Sequence, residues 1–305
     1  MSAQGLFPPS RSRLPRIVRS LLQWYKKHGR DLPWRHTEDP YVILLSEVML
    51  QQTQVDRVVR KLPQFHRRFP SLATLARARR ADVIRAWNGL GYNTRAVRLH
   101  QLAQSVCRNG RGQLPRSPDE LRSLPGIGQY TAHAIAAFAH GEAVAVVDTN
   151  VERVLKRLFS REGRAMEAWR LAQLVLPRRS AYAWNQALMD LGATVCTARN
   201  PGCARCPLER HCPSAHRVLH GPAIRRPEPS RDGIPNRIYR GRIVQALRAL
   251  DGRRSLELHR LGAAIKRPFL AGDRRWLEDL LSRLERDDLV RLRKRNRTLY
   301  VSLPR

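Results

Sequence analysis

The sequence predicts an all-α fold over roughly its first 215 residues, followed by a small C-terminal domain of helices and a basic hairpin. Two observations carry this prediction. Apolar residues recur at helical spacing in segment after segment, and two-residue alternation is scarce before residue 215. Residues 15–30 form the first helix, ending at Gly29, and a Pro-flanked segment, DLPWRHTEDP, follows it. The run from Tyr41 to Phe69 reads as one long helix with a break near Pro63. Shorter amphipathic helices follow at SLATLARA, RADVIRAWNGL, RAVRLHQLAQSV and PDELRSL, then at LPGIGQYTAHAIAAFAHG, TNVERVLKRLF, MEAWRLAQLVL and AYAWNQALMDLGATVC. Residues 216–236 carry Pro, Gly and Arg with little apolar content and read as a linker. Beyond them, three helices and the strand pair VRLR and TLYVSL resemble a winged helix, with Arg274, Arg275 and the turn Lys294–Arg297 facing DNA.

Composition narrows the partner. The chain of 305 residues holds 57 Lys and Arg against 25 Asp and Glu, a formal charge of +32. Such a field points to a polyanion and to non-specific affinity for nucleic acid. Nearly all the basic residues are Arg, which genomic base composition also favours, so function has to come from local motifs. With a mean hydropathy of −0.48, no run nears the ~18 apolar residues of a membrane span. No signal peptide is evident, so a cytoplasmic, nucleoid-associated protein is expected.

Four of the five cysteines, Cys196, Cys203, Cys206 and Cys212, are spaced C-x6-C-x2-C-x5-C. A reducing compartment argues against disulfides. Four thiolates on one short loop suit zinc or an iron–sulfur cluster. Zinc sites usually pair two C-x2-C knuckles, and here only one is present, which favours a [4Fe–4S] cluster. Cys107, far upstream, reads as a half-buried thiol at a helix end.

LPGIGQYTA (Leu124–Ala132) is a Pro-Gly-x-Gly turn entering an apolar helix. Gly126, Gly128 and Gln129 would present backbone N–H groups to a DNA phosphate at the helix N-terminus. Glu47 sits in the apolar run Ile43–Leu50, where a carboxylate is costly unless paired or partly protonated. On residues alone it also fits a solvent-facing position or a buried ion pair. Asp148 closes the strip Val144–Val147, where an N-cap is the common role. Thr149 and Glu152 spell a capping box that would cap the helix without it.

Together, the hairpin and the four-cysteine loop resemble the DNA glycosylase superfamily that includes endonuclease III. Residues 33–55 (PWRHTEDPYVILLSEVMLQQTQV), AWNGLGYNTRAVRLH, VVDTNVERVL and WNQALMDLGATVC resemble the MutY-type adenine glycosylases over about residues 15–215. The resemblance implies a helix-hairpin-helix domain at 1–215. Its six-helix barrel lobe would span 39–147, its iron–sulfur lobe 1–38 and 148–215, and the winged-helix-like domain 237–305. It implies a monomer acting on mismatched double-stranded DNA, with Glu47 protonating the extruded adenine and Asp148 stabilising the sugar cation. Tyr130 stands where bifunctional relatives carry a lysine nucleophile, which implies a monofunctional enzyme. Trp34, Arg35 and Gln186 match adenine-pocket positions, while Gln51 and Tyr92 match residues that fill the duplex and wedge beside the mismatch. Arg199 on the cysteine loop would face the DNA backbone.

Two departures stand out. The family's second tyrosine after G-L-G-Y is here Asn93, and residues 236–305 are too few for the Nudix-like domain that reads 8-oxoguanine in bacterial relatives. A T:G or U:G mismatch glycosylase is the alternative within the superfamily. A non-catalytic iron–sulfur DNA-binding regulator is the alternative outside it.

Overall fold

The computed structural model describes residues 13–108, 112–159, 167–217, 228–250 and 254–305. The helices are α1 (Arg13–His28), α2 (Pro40–Leu50), α3 (Val55–Arg68), α4 (Leu72–Arg77), α5 (Arg80–Ala86), α6 (Thr94–Arg108) and α7 (Pro118–Arg122). They continue as α8 (Gln129–Ala139), α9 (Thr149–Phe159), α10 (Ala168–Leu174), α11 (Ala181–Thr194), α12 (Asn236–Arg248), α13 (Leu258–Ile265) and α14 (Arg274–Arg286). The strands are β1 (Ser230–Arg231), β2 (Ile234–Pro235), β3 (Leu256–Glu257), β4 (Arg291–Arg295) and β5 (Thr298–Ser302). No described helix is long and apolar enough to cross a membrane.

The long helix expected from Tyr41 to Phe69 is two helices, and its break lies at Gln51–Gln54 rather than at Pro63. Pro63 sits inside α3, whose buried stripe Val58, Leu62 and Phe65 holds the helix to the core across the missing donor. The actual break has a different cause. Gln52 takes a left-handed φ of 56°, and Arg95 draws off the carbonyls of Val48 and Met49 at 2.7 and 2.8 Å. An arginine thereby ends α2 where no proline or glycine does.

The chain forms two compact units. The first comprises Met1–Leu44, Pro115–Ser123 and Ile127–Ala223. Its core joins Ile17 and Leu21 of α1, Val151, Val154, Leu155 and Leu158 of α9, and Trp184, Leu188 and Leu191 of α11. The α9–α11 packing is close enough that a side chain at Gly192 would meet Asn150 Cβ at 2.8 Å.

The second unit comprises Leu45–Leu114, Leu124–Gly126 and Ile224–Arg305. Its C-terminal part runs α12–β3–α13–α14–β4–β5, with an antiparallel sheet in the order β3-β5-β4, the arrangement of a winged helix. Strand β3 lies where the sequence suggested only the start of a helix. The wing hairpin turns on Asn296 and Arg297, both with positive φ, as a two-residue turn requires. Arg293, Lys294, Arg295 and Arg297 on it are exposed. Of the segment expected as a linker, 218–227 lie outside the described residues, and β1 pairs with β2 just beyond them.

This C-terminal part shares a core with the helices before it. Tyr239, Ile243, Val244 and Leu247 of α12 cluster with Ala81, Ile84 and Val97. Arg80 pairs with Asp288 at 3.1 Å, and Arg85 donates to Leu250 O.

Candidate active site and cysteine loop

Glu47 lies on the half of α2 that belongs to the second unit. Its flanks Ile43, Leu44, Leu45, Ser46 and Met49 are all essentially buried, and Glu47 itself is only 3 % exposed. The solvent-facing alternative is therefore excluded. The same unit presents Tyr92, which is 52 % exposed. Tyr92 ends a turn built on positive φ angles at Gly89 (89°), Gly91 (71°) and Tyr92 itself (42°). The Arg95 guanidinium lies 5.8 Å from the Tyr92 ring centre. Its Nη2 reaches Leu90 O, Gly91 O and Thr53 Oγ1 at 3.0–3.1 Å. Arg95 thus clasps the end of the Glu47 helix and the Tyr92 turn together, and burial lowers its pKa to about 10. Gln51 follows α2 directly at this end. A cleft of about 650 Å³ opens beside Tyr92, bordered by Asn93, Arg57, Arg237 and Arg283.

In the first unit, Asp148 follows an extended segment that joins no sheet. Side chains meet its backbone groups instead: Asn185 receives from Val146 N–H (3.1 Å) and donates to Val144 O (2.9 Å), and Gln173 receives from Ala145 N–H. Asp148 Oδ1 accepts from Val151 N–H at 2.7 Å, and Oδ2 accepts from Asn150 Nδ2 at 3.0 Å. The aspartate is the N-cap of α9. The expectation that Thr149 and Glu152 would relieve it of that duty is not met, because Glu152 pairs with Lys156 one turn on. A carboxylate closer to the orphan N–H groups wins the position.

Tyr130 sits half-buried in the first turn of α8, after Gly128 at the N-cap. Gly126 has φ 79°, and a Cβ there would strike Arg98 Cβ at 2.8 Å, so only glycine fits. Gly128 and Gln129 are exposed. Trp34 is buried in the turn Pro33–Arg35, and Gln186 is buried on α11, bonded to the Tyr182 hydroxyl. Arg35, expected as an adenine-pocket residue, is committed to the fold. Its two terminal nitrogens each lie 2.8 Å from the carboxylate of Asp190. Arg30 Nε and N–H add bonds to the same carboxylate at 2.6 and 2.9 Å. Burial pushes the Asp190 pKa up, but these arginine and backbone bonds outweigh it and hold it below the usual range.

Cys196, Cys203, Cys206 and Cys212 line one hollow of about 30 Å³. Burial first, and then the three neighbouring sulfurs, push the Cys206 thiol up to about 11. Among the described residues no three His, Cys, Asp or Glu side chains have the geometry to hold a single metal ion. The loop is stapled to α9: Arg153 donates to Cys196 O (2.9 Å) and Gly192 O (2.7 Å), and Arg157 to Thr197 O (2.7 Å) and Ala198 O (3.0 Å). One helix therefore carries Asp148 at its start and supports the cysteine loop further along. Arg199 is exposed on that loop, and Cys107 is half-buried in the last turn of α6.

A helix–turn–helix pair with glycines at the turn, a buried acid and a capping aspartate define a helix-hairpin-helix DNA glycosylase. A profile of the HhH-GPD superfamily of base excision DNA repair proteins matches residues 45–177. The adenine DNA glycosylase of Mycobacterium tuberculosis H37Rv is 41% identical over 250 residues, covering 76% of this chain and 78% of that protein. That of Mycolicibacterium smegmatis is 46% identical over 197 residues, covering 63% and 67%. The solved structure of a thermostable thymine-DNA glycosylase superposes with a TM-score of 0.64 at 30% identity, covering 67% of this chain and 97% of its own. The chain belongs to the adenine DNA glycosylase family of this superfamily.

Proposed function

We propose that the chain hydrolyses the N-glycosidic bond of adenine paired with 8-oxoguanine or guanine in duplex DNA and leaves an abasic site. The observation that carries this reading is Glu47, a carboxyl group 3 % exposed in an apolar helix of a member of this family. A protonated carboxyl group so placed can give its proton to a ring nitrogen of the extruded base. The C1′–N9 bond then breaks with its electrons going to adenine. Asp148 faces the positive charge left on the sugar, water adds at C1′, and the proton that water releases restores the acid. Tyr130 offers no amine for a Schiff base, so the strand stays intact. Trp34, Tyr130 and Gln186 frame the base, Gln51 and Tyr92 take its place in the stack, and Gly126, Gly128 and Gln129 grip the backbone.

The reading is tested by single-turnover cleavage of duplexes carrying A:8-oxoG, A:G, T:G and U:G, with alkali revealing abasic sites. Adenine release supports it. Thymine or uracil release, which the thymine-DNA glycosylase likeness makes the arm to watch, would replace it.

Asp148→Asn separates the two duties of that residue. Asparagine caps a helix about as well as aspartate, so stability should change by less than about 1 kcal/mol while adenine release falls about 100-fold or more through loss of the charge. Thermal unfolding and the single-turnover rate, measured on the same preparation, check this.

Cys196, Cys203, Cys206 and Cys212 would hold a [4Fe–4S] cluster, and their convergence on one hollow fits it. When bound, the cluster supplies a cross-link for the loop that Arg153 and Arg157 brace, and hydrolysis requires no electron from it. Cys206→Ser should lose the absorbance near 400 nm and unfold at lower temperature, as a spectrum and a melt would show.

A further inference from the structure

We infer that Arg248, in the winged C-terminal part, is a positioning residue that holds the 88–93 turn in the shape that presents Tyr92 to the duplex. This rests on the reading of Tyr92 as the wedge. Arg248 is the last residue of α12, and its guanidinium reaches three acceptors in or just before that turn. Nε donates to Ile84 O at 2.9 Å, Nη1 to Asn88 Oδ1 at 3.2 Å, and Nη2 to Asn93 Oδ1 at 2.7 Å.

The turn needs such support. A tyrosine at a φ of 42° directly after glycines at 89° and 71° is a backbone shape that persists only where its surroundings over-determine it. Arg95 constrains the turn through its carbonyls, and Arg248 constrains the two asparagines at its ends. Asn93 stands where the resembled family carries a second tyrosine, and its amide oxygen is the acceptor for the shortest of the three bonds. The substitution and the arginine thus form a pair. The end of α12 that carries Arg248 is anchored as well, because its neighbour Leu247 is buried in the core shared with Ala81, Ile84 and Val97. The winged part therefore shapes the wedge mechanically, apart from any contact its own hairpin makes with DNA.

The test compares Arg248→Met, Asn93→Ala and their double variant with wild type, using Arg80→Ala and Tyr92→Ala as references. Arg80→Ala breaks a different contact of the winged part, the Asp288 pair, and leaves the turn alone. Two readouts are taken: amide hydrogen exchange at residues 89–95 of the free protein, and fluorescence of 2-aminopurine placed opposite guanine, which reports extrusion of an adenine analogue. The expected result is several-fold faster exchange in both single variants and a roughly five- to tenfold lower extrusion amplitude. The double variant should be no worse than either single one, and Arg80→Ala should resemble wild type in both readouts. Additive losses, unchanged exchange, or an equal loss in Arg80→Ala would overturn the assignment. So would Tyr92→Ala leaving extrusion intact, since there would then be nothing to position. A wild type that releases no adenine would refute the proposed function instead, and the exchange data would still decide whether Arg248 holds the turn.

Discussion

Glu47→Gln should release adenine at about a thousandth of the wild-type rate or less, with affinity for the duplex retained. General acid catalysis contributes about 10²–10⁴-fold in rate, and glutamine keeps the shape of the side chain while removing the transferable proton. The effect should be concentrated in chemistry because Glu47 is buried among Leu44, Leu45 and Met49 and offers DNA no surface charge. Rate and affinity are measured separately, by single-turnover cleavage and by binding to a duplex with a non-cleavable adenine analogue. A variant that cleaves within about tenfold of wild type would move the acid elsewhere.

Asp190→Ala is the substitution expected to damage the fold most. It removes the carboxylate that Arg30 and Arg35 share and strands a guanidinium that is only 7 % exposed. Breaking a buried pair from one side typically costs about 3–5 kcal/mol, a large fraction of a stability that is usually about 5–15 kcal/mol. The pH dependence has a definite sign. The Asp190 pKa is lowered in the folded protein, so its contribution is present above the unfolded carboxylate value of about 3.9. That contribution is lost as pH falls through the lower folded value. Denaturant titrations of wild type and variant should therefore show a wide gap at pH 7 that narrows below about pH 4. A constant gap across that range would mean that packing, rather than charge, holds the site.

What the sequence displayed and what it concealed differ in kind. The four cysteines, the glycine hairpin and the acid in an apolar run are local patterns, each written in fewer than about twenty consecutive residues, and the structure places them on the expected elements. Asp190, Asn185 and Arg95 were missed because each does its work across long sequence separation: Arg35 to Asp190, Asn185 to Val146, Arg95 to Val48. A polar residue at a buried helical position was the available signal, and Asn185 and Asp190 are both buried on α11. The helix break misread at Pro63 belongs to the same class. Local chemistry suggested proline, whereas a tertiary contact from Arg95 set the end of α2. The aspartate cap was misjudged for the opposite reason, since a second local motif looked sufficient and the nearer side chain took the position.

The arginines that donate to main-chain carbonyls change what the charge of +32 means in solution. Arg95, Arg153, Arg157 and Arg248 all count toward that charge and add to the attraction felt by a polyanion at a distance. Their donors are turned inward, so they are poorly placed to displace counterions from phosphates. Long-range capture and the salt sensitivity of the bound state are thereby uncoupled: the first follows the whole arginine inventory, and the second only the phosphates actually touched. These four arginines thus add to attraction at a distance and nothing to the salt slope, so the slope of binding should fall short of what a charge of +32 suggests.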